Sequence, residues 1–134
     1  MNECTFGEAV LDTLWKKTER DCQENSIDIT ILADGKVLDF MSSEDIQIVV
    51  GGTVGHAVEQ VKRISDSEKR LVQITLTEKK QFLFLQTGSC RVGDEPAEEN
   101  IPSGVIRCVE KLGGAVTTRM DQHWMVTNVL IPIP

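Results

Sequence analysis

The densest gathering of groups able to do chemistry lies between Gly51 and Gln60, where Gly51, Gly52 and Gly55 stand beside His56 and, three positions on, Glu59. The imidazole of His56 could ligate a metal or contact a phosphate, and Glu59 could act as a general base orienting water or a hydroxyl. Both residues also read more plainly, His56 as an ordinary helix residue and Glu59 as a solvated or salt-bridged carboxylate. A second gathering, Asp94, Glu95, Glu98 and Glu99, supplies the carboxylates that Ca²⁺ or Mg²⁺ require. It lacks the ordered spacing of a calcium loop, so a solvated lid is the simpler reading. Cys4, Cys22, Cys90 and Cys108 are scattered, with no Cys-x-x-Cys pair for zinc or redox work, and read as small buried thiols in a reducing compartment. His123 stands isolated beside Trp124. Neither a Gly-x-Ser-x-Gly elbow nor a Gly-x-x-x-x-Gly-Lys-Ser/Thr loop occurs, which argues against a serine hydrolase and a P-loop enzyme.

These groups sit in a chain of 134 residues, 40% hydrophobic and 26% charged, which suits one compact domain able to bury a core without disulfides or metals. Fourteen basic against 21 acidic side chains give a net charge of −7. That sign disfavours nucleic-acid binding, where Lys and Arg must neutralise phosphates. No apolar run approaches the roughly 20 residues that cross a bilayer, and the start Met1-Asn2-Glu3-Cys4 lacks the features of a signal peptide. The expectation is a soluble, cytoplasmic domain without membrane contact of its own.

Thr5-x-x-Glu8 is a capping-box pattern, and Val10, Leu11, Leu14, Trp15 and Cys22 follow along one side of a helix, giving helix one over 5–25. Ile27 to Leu32 alternates as a strand, Asp34-Gly35 turns the chain, and Asp39-Phe40 reads as the start of a short extended piece. Ser42 or Ser43 caps helix two over 43–65, whose apolar residues from Ile46 to Ile64 hold one phase straight through the three glycines. Three glycines inside a helix cost roughly 3 kcal/mol relative to alanine. Close packing by another element, an approaching ligand, or a site that has lost its polar residues would each require the bare backbone. Leu71–Thr77 and Phe82–Thr87 form a hairpin through Glu78-Lys79-Lys80-Gln81, followed by a lid-like mobile loop over 88–101. Helix three spans 102–112, with Pro102 in its first turn and Gly113 as its stop. Strands Ala115–Arg119 and His123–Ile131 close the chain. The order α-β-α-β-β-α-β-β predicts an α+β fold, a two-layer sandwich with three helices on one face of a mixed, mostly antiparallel sheet.

That order, with a loop between hairpin and third helix, resembles the ATP-binding domain of sensor histidine kinases, of the GHKL-type superfamily that also includes gyrase, and most of all the quorum-sensing type of bacterial kinase. The stretches Val49–Gln60, Val105–Gly114 and Trp124–Pro132 carry the likeness, which runs over nearly the whole chain from about Phe6. In that family helix two carries Asn-x-x-Asp-Asn-Ala-x-Glu-Ala facing the nucleotide. Ala57 and Glu59 match the box, while its first Asn falls on Gly52, its Asp on Gly55 and its magnesium-binding Asn on His56. The family's Gly-x-Gly phosphate turn falls near Glu99-Asn100-Ile101, where neither glycine is present. After the first hairpin, where the family often has an adenine-reading acid or Asn, stand Gly88-Ser89-Cys90.

The resemblance implies nucleotide contacts at Gly52, Gly55, His56, Asn100 and Ile101, a catalytic part for Glu59, and a metal contact at His56. It implies ATP and Mg²⁺ as cofactors, with degenerate motifs that weaken or abolish their binding, since Mg²⁺ wants oxygen ligands and imidazole suits softer metals. It also implies a place in two-component signalling: upstream dimerisation and phosphoacceptor helices, or a partner kinase, and a response regulator as partners. The alternative is a pseudo-kinase docking module that binds such a partner without ATP. The phosphoacceptor histidine belongs upstream in the family, so His56 is not expected to play that role.

Overall fold

The computed structural model describes residues 5–92, 101–121 and 123–134. Helix α1 (Phe6–Glu24) starts where expected: Thr5 is extended and its hydroxyl accepts the Glu8 N–H at 3.2 Å, satisfying a free donor of the first turn. Strand β1 (Asp28–Ala33) ends at Asp34, whose carboxylate accepts the Lys36 N–H at 3.1 Å and opens a short 3₁₀ turn, Gly35–Leu38. Asp39 is not extended, contrary to expectation. Its backbone is helical, and its Oδ1 accepts the Gly7 N–H at 2.7 Å, which ties this turn to the start of α1.

Helix two is one helical column in three parts, α2 (Ser43–Ile46), a π-helical turn over Gln47–Gly51, and α3 (Gly52–Lys62). Ser42 caps it, accepting the Asp45 N–H at 3.1 Å. Strands β2 (Leu71–Lys79) and β3 (Phe82–Cys90) outrun the expected hairpin at both ends. Their turn is only Lys80-Gln81, with φ of 51° and 68°, the two-residue geometry that fits the twist of paired strands. At the other end Gly88, Ser89 and Cys90 continue β3 and do not start a loop, because β2 and β5 both offer partners there: Gly88 pairs Gln73 and Val126, Ser89 pairs Val72 and Met125. The rest of the expected lid, residues 93–100, lies outside the described residues.

Helix α4 (Ser103–Lys111) stops at Gly113, whose φ of 81° a side chain would resist. Strands β4 (Ala115–Met120) and β5 (Trp124–Pro132) follow. The sheet order is β1-β2-β3-β5-β4, with β1 parallel to β2 and all other pairs antiparallel. Inward residues Ile74, Leu76, Leu83, Leu85, Val129 and Ile131 meet Val50, Val54, Val58 and Val61 of the helical column, and this single layer contact is the core.

Candidate functional site

The site singled out in the sequence falls on the start of α3, just after the π turn, a feature often found beside functional positions. Thr53 is buried and its hydroxyl donates to the Val49 carbonyl at 2.6 Å, satisfying an acceptor inside the column. Gly52 next to it faces α4. A Cβ built on Gly52 would fall inside the van der Waals envelope of Val105 Cγ2, so here close packing by another element requires the bare backbone. His56 and Gln60 follow Gly52 at one-turn intervals and are both buried.

Gly55 and Glu59 turn toward the other neighbour, α1. With Gly51, Leu14, Lys17 and Asp21 they line an open groove of about 480 Å³ between α1 and α3. Glu59 Oε1 takes the Lys62 ammonium at 2.9 Å, and the same ammonium reaches Asp21 Oδ2 of α1 at 3.0 Å. The two carboxylates, Glu59 foremost, raise the Lys62 pKa, and the Lys62–Asp21 pair links α3 to α1. The structure thus brings Gly52 against α4 and turns Gly55 and Glu59 toward α1. Ile101 is a buried member of the core, and Asn100 lies outside the described residues.

Sequence reasoning missed the sheet-side groups. Thr87, Ser89 and Thr127 form a buried patch of hydroxyls on the helix-facing side, Thr87 paired with Thr127 across β3 and β5. Ser89 Oγ is fully buried and finds no hydrogen-bond partner among the described residues, which costs about 1–3 kcal/mol. Carrying the period-two alternation of Leu83 and Leu85 two steps further would have pointed Thr87 and Ser89 inward.

A separate polar cluster joins α2 to α4. Asp45 Oδ1 accepts from Lys111 Nζ at 3.0 Å and from Cys108 Sγ at 3.4 Å. The Lys111 bond, chiefly, holds the Asp45 pKa below the usual carboxylate value, while burial pushes the Cys108 thiol up. A carboxyl depressed in the folded state stabilises above its unfolded pKa, and that contribution is lost as pH falls through the folded value. Asp45→Asn is therefore expected to lower the melting temperature by roughly 2 °C at neutral pH and by progressively less below about pH 4. Thermal melts of both proteins across pH check it, and a gap that widens in acid would contradict it.

No protein-family model and no curated protein matches the chain. Solved structures do. The histidine kinase domain of the Erythrobacter litoralis EL346 blue-light activated histidine kinase is similar at a TM-score of 0.66 and 17% identity, over 99% of this chain and 65% of that one. The Acinetobacter baumannii histidine kinase AdeS gives 0.69 and 12%, over 98% and 66%. The nucleotide-free catalytic domain of histidine kinase ThkA gives 0.70 and 14%, over 98% and 96%. The fold is that of histidine kinase catalytic domains, and the chain spans about two thirds of the first two and nearly all of the third.

Gly52 and Gly55 bring no side-chain oxygen, Val105 closes on the backbone of Gly52, and no group of three or more His, Cys, Asp or Glu that could hold a metal exists among the described residues. Among those residues no helix is long and apolar enough to cross a membrane.

Proposed function

We propose that this chain is the ATP-binding-type domain of a sensor histidine kinase in two-component signalling, with its grip on Mg-ATP weakened or lost. The observation that supports it most is the bare backbone at Gly52 and Gly55, with Val105 of α4 lying against Gly52, beside the place where the resemblance puts the nucleotide, between helix two and the loop before helix three. The pattern of a complete scaffold beside a depleted site fits chains that keep core periodicity after their chemistry has gone. Partners that suit this reading are dimerisation and phosphoacceptor helices, or a kinase that supplies them, and a response regulator.

Calorimetric titration with Mg-ATP is expected to give no saturable heat at micromolar to hundred-micromolar concentrations, and excess Mg-ATP is expected to leave the melting temperature unmoved. A Kd in the micromolar range would overturn the proposal. The same intact scaffold supports a second reading, a docking module that binds a kinase or response regulator without nucleotide.

A further inference from the structure

Among the described residues the helices cover one face of the sheet, and the other face is bare. Strand register fixes what it presents. The middle row across all five strands reads Leu32, Thr75, Gln86, Asn128 and Thr117, with Gln86 Nε2 donating to Asn128 Oδ1 at 2.8 Å. The row on one side places Phe84 beside Leu130, with Lys79 capping the Phe84 ring at 4.3 Å from its centroid. The row on the other side places Gly88 beside Val126, and Trp124 covers Gly88 with its ring edge. Large apolar side chains stand in water here: Leu32 is 69% exposed, Phe82 41% and Leu130 40%.

Two features say what could cover this face. The first is charge. The chain carries 35 charged side chains (14 basic, 21 acidic) and a net charge of −7, yet among the described residues the charges over these three rows are both basic, Lys79 above Phe84 and Arg119 on the β4 edge. Two copies of an acidic chain repel wherever carboxylates meet, and these rows, which carry none, are a surface on which they can approach without that penalty. The second is size. Five strands about 4.8 Å apart and roughly 25 Å long make a flat face of about 600 Å², so two copies would bury roughly 1,200 Å² on contact, the lower end of a specific interface.

From these we infer that the bare sheet face is a homodimer interface, two copies packing sheet to sheet about a twofold axis, about 10 Å apart, with Phe84, Leu130 and Leu32 as anchors and the Thr, Gln and Asn side chains as a polar frame. The interface is independent of nucleotide and does not rest on the reading of the α3 site.

Sedimentation velocity of the full chain over a wide concentration range tests it. The expected result is a monomer–dimer equilibrium with a dissociation constant on the order of 10 µM, preserved or tightened by added salt because no interfacial ion pair is screened and the overall repulsion is. Gln86→Glu and, separately, Leu130→Lys place like charges near the axis and are each expected to weaken the dimer at least tenfold. Circular dichroism confirms that each variant is folded, and if Gln86→Glu is not, Leu130→Lys at its exposed position carries the comparison. A monomer at every concentration overturns the proposal and leaves the face to a different protein. A dimer that neither variant weakens overturns it equally.

Discussion

Gly52→Ala is expected to destabilise the protein by about 2 kcal/mol, and Gly55→Ala, the same chemical change three residues further along the same helix, to stabilise it by about 1 kcal/mol. At Gly52 the new methyl meets Val105 Cγ2, a short branched side chain in a packed interface that cannot swing away. At Gly55 nothing lies within 4 Å, so only the helical gain of alanine over glycine remains. Val105→Ala costs roughly 2 kcal/mol as a buried truncation. It also removes the clashing atom, leaving the Val105 Cβ 3.9 Å from the built Gly52 Cβ, an ordinary contact. In that background Gly52→Ala should lose its penalty, a coupling of about 2 kcal/mol between the two sites. Urea unfolding of the four proteins closes the cycle. Additive effects would show that α4 does not rest on Gly52, and the proposed weakening of the grip on Mg-ATP would lose part of its support.

The largest single loss should come from Gly7→Ala, about 3 kcal/mol or more. Its Cβ would run into the Gly35 carbonyl oxygen, and would lie 2.9 Å from both Asp39 Oδ1 and Leu38 Cβ. A carbonyl is backbone and cannot rotate aside, and Gly35 is itself hemmed in by Glu8, whose Cα would be 2.8 Å from a Cβ there. The first turn of α1 and the 3₁₀ turn after β1 therefore touch through two glycines. A chemical-denaturation midpoint within experimental scatter of the parent would show that this contact is looser than described.

Much of the fold was legible because its signals are local. Thr5, Ser42 and Gly113 mark helix ends through interactions within a few residues, and alternation in β2, β3 and β5 fixes which side faces the helices. The misreadings have equally local causes. Lys80-Gln81 is a two-residue turn without the glycine or asparagine that normally announces one, so the turn read from the sequence also takes in Glu78 and Lys79, which belong to β2. Gly88 reads as a breaker, which hides the end of β3 and with it Ser89 as an inward group. The reason for Gly52 lies 53 positions away at Val105, and no periodicity encodes a contact of that range. The ion pair on Glu59 is local, with Lys62 three positions on, and fits its plainer reading, whereas the second carboxylate on Lys62, Asp21, comes from another helix.

The π turn between α2 and α3 has one more effect. In a regular helix, residues four apart drift sideways by about 40° at each step, so a row of them winds off the face where it began. A wider turn placed midway cancels part of that drift. Ser43 before it, Gln47 and Gly51 at its two ends, and Gly55 and Glu59 after it accordingly all border α1. Deleting one residue from Gln47–Gly51 would restore ordinary winding and rotate everything downstream out of alignment, so a length change there should cost more than the loss of buried Val49 or Val50 alone would suggest.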